Sequence, residues 1–238
     1  MAIDTSRSSL RAVTVPDANS TTTAPRAAVK YAVEAIGTFF LVFTVGAAVG
    51  SRSSLAPLAI GAALMVMVYA GGHISGGHYN PAVTLAALVR RRIGLADAVG
   101  YWIAQFVAGI VAALVVHAVV HPVQAAITTT TLAGRTMLAA FVVELLFTFA
   151  LCYVVLNVAT SKDHPNNSFY GLAIGFTLVA GAVAVGGISG GAFNPAVSLG
   201  AAVMGMFAWP TLWVYLLAQV IAGAAAGGGF LVLNPKDK

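Results

Sequence analysis

The segment Asn80-Pro81-Ala82-Val83 recurs as Asn194-Pro195-Ala196-Val197, one repeat length of 114 residues later. The same offset carries Leu58-Ala59-Ile60-Gly61 to Leu172-Ala173-Ile174-Gly175, and Ile74-Ser75-Gly76-Gly77 to Ile188-Ser189-Gly190-Gly191. It also carries Ala104-Gln105 and Gly109 to Ala218-Gln219 and Gly223. Upstream, Glu34 with Thr38-Phe39 returns as Glu144 with Thr148-Phe149 at an offset of 110. A chain with this self-similarity must fold as two copies of one unit.

What each copy builds follows from where charge is absent. Residues 35–51, 53–89, 93–134 and 164–235 are apolar tracts interrupted only by Asp97, in a chain that is 59% hydrophobic and 8% charged. Such tracts are long enough to cross a bilayer as helices of about 20 residues. Each half accommodates three spans, over 30–50, 55–73 and 97–119, then 136–158, 168–187 and 209–232. An odd number of spans makes the second copy enter from the opposite side, so the repeats, about 29–120 and 136–233, are inverted. The expected fold class is an all-α membrane protein.

Basic residues give the orientation. With the N-terminus inside, Arg7, Arg11, Arg26, Lys30, Arg90, Arg91, Arg92, Lys162, Lys236 and Lys238 are cytoplasmic, and Arg52 and Arg135 lie outside. This distribution accounts for the net charge of +5 by a lipid surface rather than by nucleic acid. Residues 1–28 read as a disordered cytoplasmic tail, and 234–238 as a short cytoplasmic C-terminal tail. Tyr31, Tyr101, Trp102, Tyr170, Trp209 and Trp213 fall near span ends, as interfacial anchors do. The single cysteine, Cys152, reads as packing. No nucleophile, base and metal-ligand set is clustered, so no catalytic residue, cofactor or metal site is expected.

The segment Gly71 to Pro81 is too glycine-rich for a lipid-facing helix, and bare backbone at membrane depth requires protein or a water-filled cavity around it. Asn caps helices and Pro suits their first turn, so Asn80-Pro81 and Asn194-Pro195 each start a helix. From Pro81 to Val89 is about 14 Å at 1.5 Å per residue, half a bilayer. The second such helix runs from Pro195 to about Met204. Two positive helix ends therefore meet near the midplane and oppose cations there. Asn80 and Asn194 offer amide donors, while carbonyls of residues 75–79 (Ser75, Gly76, Gly77, His78, Tyr79) and 189–193 (Ser189, Gly190, Gly191, Ala192, Phe193) line one wall. The product is a passive pore for water and small uncharged solutes.

Glu34 and Glu144 are acidic residues inside spans. As brackets they would hold loop amides beside the half-helices; as relays they would belong to an ion-coupled transporter, the rival reading. Their symmetric placement favours brackets. Gln105 and Gln219, also paired by the repeat, read as polar packing, with a similar bracing role as the second reading. His78 either lines the pore or gates it by protonation; His73 reads as structural, and His117 and His121 need no site.

These residues resemble the aquaporin, or major intrinsic protein, family over residues 30–233. The two Asn-Pro-Ala motifs (with Ala82 and Ala196) and the preceding run from Gly72 to Tyr79 carry the resemblance. It implies an hourglass of six spans and two re-entrant half-helices, passive conduction of water or of solutes such as glycerol, urea, ammonia, hydrogen peroxide and neutral metalloids, and a homotetramer in the cell membrane. It also implies a narrow filter at Ile60, Ala182, Gly191 and Val197. Relatives nearly always have arginine at the last of these, and water-selective members often add an aromatic and a histidine; this chain has none of the three, which suggests a wide, apolar constriction and loose selectivity. Ser198 and Ala202 resemble water channels, whereas Tyr215 and Leu216 match neither subgroup.

Overall fold

The structure is a computed structural model that describes residues 26–120 and 129–237. Six helices are long and apolar enough to cross a membrane. They are α1 (Ala27–Gly50), α2 (Ala56–Ser75), α4 (Leu95–Val115, extended by a π turn over Val116–Val120), α5 (Arg135–Thr160), α6 (Tyr170–Ser189) and α8 (Leu212–Leu233). Between them lie two nine-residue helices, α3 (Pro81–Val89) and α7 (Pro195–Val203). The expected tail over 1–28 falls almost wholly outside the described residues, although Ala27 and Ala28 already belong to α1. His121 and Lys238 also lie outside them.

The packing obeys the repeat. In the first half α1 packs on α2 and α4; in the second, α5 packs on α6 and α8. The halves exchange their short helices, α3 lying against α8 and α7 against α4, while α2 meets α6 across the pseudo-twofold axis. Small residues permit these approaches, as they do between helices in lipid generally. A Cβ on Gly175 would stand 2.5 Å from the Gly61 carbonyl oxygen, and one on Gly61 would stand 2.7 Å from that of Gly175. Likewise, a Cβ on Gly223 would meet the Ala82 oxygen at 2.5 Å, and one on Gly109 the Ala196 oxygen at 3.0 Å.

Apolar side chains such as Ile103, Val107, Leu138 and Val183 point outward, as a lipid-facing surface requires. Trp209 and Trp213 are also exposed, but Tyr101 is buried and the Trp102 indole donates to the Pro81 oxygen at 3.1 Å. The Tyr101 ring is therefore internal rather than a lipid anchor, while Trp102 is half-buried and tied to the start of α3. Cys152 is buried with a free thiol.

A second departure concerns the glycine-rich run. Residues 71–75 remain helical, and α2 ends only at Ser75 because Gly76, at φ 91°, adopts the left-handed cap that stops it. Gly190, at φ 93°, ends α6 in the same way. His73 is exposed at the end of α2 rather than packed.

The C-terminal residues 234–237 are tied down. Arg90, 2% exposed at the end of α3, donates to Thr160 Oγ1 at 2.8 Å and to the Asp237 carbonyl at 3.0 Å. Its guanidinium pairs with the Asp237 carboxylate at 2.9 Å and lies over the Phe230 ring. Burial pushes the Asp237 carboxyl up, but the Lys162 N–H and Arg90 outweigh it and hold the group below its ordinary range. A depressed carboxyl stabilises the fold above its unfolded pKa of about 3.9, and that contribution disappears as pH falls through the folded value.

The helix crossings generate a test. Gly175→Val should disrupt the contact between α2 and α6 and cost about 1–3 kcal/mol by overpacking. The expected outcome is a lower unfolding temperature in detergent, while Gly229→Ala, facing open space, leaves it unchanged.

Candidate functional site

The two half-helices start alike. Asn80 Oδ1 accepts from the Ala82 N–H at 2.8 Å, and Asn194 Oδ1 from the Ala196 and Val197 N–H groups at 2.9 and 3.3 Å. Each is an N-cap that leaves the side-chain amide group pointing away from its own helix. The amides cross between the repeats: Asn80 Nδ2 donates to the Phe193 carbonyl and Asn194 Nδ2 to the Tyr79 carbonyl, both at 2.9 Å. An amide nitrogen carries two hydrogens. One from each Asn is thus spent on locking the opposite loop, and one remains for a solute.

Beneath each loop sits a buried carboxylate, 0% exposed. Glu34 accepts from Ser75 Oγ at 2.7 Å, the His78 N–H at 2.9 Å, the Tyr79 N–H at 2.7 Å and Gln105 Nε2 at 2.8 Å. Glu144 accepts from Ser189 Oγ at 2.7 Å, the Ala192 N–H at 3.0 Å, the Phe193 N–H at 2.8 Å and Gln219 Nε2 at 2.9 Å. Four donors per carboxylate fill the places where a transported proton would have to bind. Gln105 and Gln219 are therefore braces, not mere packing; each also donates onward to Thr84 Oγ1 or Ser198 Oγ, at 3.0 and 2.9 Å.

Two more braces are invisible to a motif search. The Tyr101 hydroxyl donates to the Ser75 carbonyl and the Tyr215 hydroxyl to the Ser189 carbonyl, both at 2.6 Å. The signal was present, since the 114-residue offset carries Tyr101 onto Tyr215.

These bonds shorten the wall of free carbonyls. The carbonyls of Ser75 and Ser189 go to tyrosines, and those of Tyr79 and Phe193 go to the asparagines. The Tyr79 and Phe193 rings are buried rather than facing an opening. They hang from backbones at φ 47° and 48°, a strained region for such residues that the loop bonds over-determine. Among the described residues, the carbonyls of Gly76, Gly77 and His78, and of Gly190, Gly191 and Ala192, are the loop acceptors with no protein donor.

Three cavities run in file past these groups. One opens at the end carrying Arg52, encloses about 400 Å³, and is bordered by Ile60, Ala182, Gly191 and Val197. The middle one holds about 10 Å³ and touches both Asn80 and Asn194. The third, about 580 Å³, opens at the end of the molecule carrying Lys30 and Arg92. Leu178 borders the first two, and His78 and Val155 border the last two. Neither glutamate borders any of the three. His78 Nδ1 lies 3.0 Å from Thr84 Oγ1, which fixes the ring beside the passage.

Removing a carboxylate should therefore collapse a loop rather than uncouple a proton. Glu144→Ala strands four buried donors at about 1–3 kcal/mol each. Unfolding in detergent should shift down by roughly 10 °C or more, and solute flux should vanish with it. Retained stability with flux lost would contradict the bracing role.

Comparison with known proteins agrees with this geometry. Residues 21–230 match the Major intrinsic protein family. The chain is 44% identical over 219 residues to "Glycerol uptake facilitator protein-like 6" of Lactiplantibacillus plantarum, covering 87% of this chain and 99% of that one. It is 35% identical to Nodulin-26 of Glycine max, over 88% of this chain and 79% of the other. Among solved structures, the aquaglyceroporin from Plasmodium falciparum superposes with a TM-score of 0.73 at 20% identity, covering 89% of this chain and 98% of that one. The chain belongs to the major intrinsic protein family, as a passive membrane channel for water and small uncharged solutes and not an enzyme.

Proposed function

We propose that this channel carries small uncharged polyols of the glycerol class together with water, and opposes protons. The observation that carries this reading is the outer cavity of about 400 Å³, whose border at Ile60, Ala182, Gly191 and Val197 holds small or apolar groups. With no side chain reaching across at position 197, solutes larger than water meet no barrier at that level. The 44% identity to a protein named for glycerol uptake supports the same solute class.

Conduction proceeds by exchange of hydrogen bonds. A hydroxyl or water oxygen accepts the remaining amide hydrogen of Asn80 or Asn194, while its own hydrogens go to the free carbonyls of residues 76–78 and 190–192. The N-termini of α3 and α7 converge on the same point, so their dipoles raise the energy of hydronium there. An ion-coupled alternative is disfavoured because Glu34 and Glu144 are saturated with donors and stand off the passage.

The basic residues Lys30, Arg91, Arg92, Lys162 and Lys236 support cytoplasmic termini, by the rule that short cytoplasmic loops are enriched in Lys and Arg. Family resemblance supports a homotetramer in the cell membrane with one pore per subunit. Native mass spectrometry of the detergent-extracted protein should find four copies.

Stopped-flow assays on proteoliposomes test the reading. Glycerol uptake should exceed that of protein-free vesicles, persist without a proton gradient, and occur without measurable proton conductance. Val197→Arg should slow glycerol far more than water, because a cationic side chain narrows the opening yet donates to water. An equal fractional loss for both would remove position 197 from the constriction, and glycerol rates no higher than in empty vesicles would sink the proposal.

A further inference from the structure

The outer cavity is rich in hydrogen-bond acceptors and poor in donors. A hydroxylated solute that leaves water there needs an acceptor for each hydroxyl hydrogen and a donor for each oxygen. Gly190, Gly191 and Ala192 border the cavity, and among the described residues their carbonyls have no protein donor. The loop's own N–H groups, by contrast, are spent. Gly190 N–H goes to the Gly186 carbonyl at 2.8 Å, Gly191 N–H to Ser189 Oγ at 3.1 Å, Ala192 N–H to Glu144 at 3.0 Å and Val197 N–H to Asn194 Oδ1 at 3.3 Å. Ile60, Ala182, Gly191 and Val197 have no side-chain donor to add.

Among the described residues that border this cavity, two carry a donor side chain: Arg52, in the turn between α1 and α2, and Thr130, in the segment before α5. We propose that Arg52 and Thr130 are the donor half of an outer recognition site for polyhydroxylated solutes, with the carbonyls of residues 190–192 as its acceptor half. This rests on the channel reading above and adds the residues that select for the solute class.

Arg52 directly follows the C-cap of α1, and its N–H donates to the Val49 carbonyl at 3.0 Å. Its φ of 53° is left-handed, a conformation that suits glycine or asparagine. An arginine there is strained, and strain of this kind gathers at ligand sites. Ala56 and Ile60 border the same cavity one turn apart on α2, about 6 Å along its axis at 1.5 Å per residue. The turn that carries Arg52 thus begins about one helical turn outside Ile60, within reach of a long side chain. A guanidinium has five N–H donors, so it can keep a protein partner and still serve a solute.

Thr130 is fixed by pairing with the chain beyond α7. Its N–H donates to the Met206 carbonyl at 2.7 Å, its carbonyl accepts from the Ala208 N–H at 3.3 Å, and Thr129 Oγ1 donates to the Gly205 carbonyl at 2.7 Å. Phe207, between those partners, stacks on the buried Tyr215 ring with centroids 4.3 Å apart, which anchors the pairing in the core. Water has little need of these donors, because each molecule in a file accepts a hydrogen bond from its neighbour. A polyol interrupts the file with its carbon skeleton, and its oxygens then depend on the wall.

The experiment measures water and glycerol permeability by stopped flow on one proteoliposome preparation per variant. Arg52→Asn removes the long donor and tolerates the left-handed backbone, so the fold is kept. It should cut glycerol about tenfold, the scale of one hydrogen bond to a charged group, and leave water nearly unchanged. Arg52→Lys keeps a cationic donor and should recover most of the glycerol flux. Thr130→Val loses the hydroxyl but retains the backbone pairing, and should lower glycerol about threefold. A glycerol-to-water ratio unmoved by Arg52→Asn overturns the site, as does an equal loss of both permeabilities or an Arg52→Lys channel no better than Arg52→Asn. A ratio unmoved by Thr130→Val strikes Thr130 from it. Unmodified protein that passes no glycerol overturns the polyol reading instead, so the two failures are distinguishable.

Discussion

Lipid offers no hydrogen bonds, so any chain that stops being helical inside it must bring its own partners. In this protein two loops leave helical geometry near the midplane, and two buried carboxylates receive them. Glu34 and Glu144 each gather two loop N–H groups, a serine hydroxyl and a glutamine amide. Without that fourfold acceptance the loops have no way to remain extended at membrane depth. The glycine caps, the strained backbones at Tyr79 and Phe193, and the positions of both asparagines all depend on it.

Much of this was legible because the chain repeats itself. The 114-residue offset locates the half-helices, and the alternation of apolar tracts with isolated charges locates the spans. Asn80-Pro81 and Asn194-Pro195 mark helix starts by local capping chemistry, which needs no tertiary information. The four filter positions implied by family resemblance do border one cavity.

What escaped reading is equally specific. Glycine composition suggested that α2 ends near residue 73, yet Gly71 and Gly72 sit inside it, since neighbouring rings fill the space they leave: a Cβ on Gly71 would meet the Tyr79 hydroxyl at 2.1 Å. Helix propensity is a weak guide where tertiary packing decides. Tyr101 has the amphipathic character of an interfacial anchor, and only its distance to Ser75 reveals a brace. Arg90 reads as one of a run of cytoplasmic cations, but it is the buried tie among α3, α5 and the C-terminus.

The crossed bonds from Asn80 to Phe193 and from Asn194 to Tyr79 span 113 and 115 residues of chain. During synthesis the first loop must wait in the bilayer with an unmatched amide and an unmatched carbonyl until the second loop is inserted. Neither repeat completes its own aperture, so the aperture exists only once both loops are in place. A ribosome stalled after the first three spans therefore holds a segment that lacks the counterpart needed to set its Asn-Pro-Ala tip.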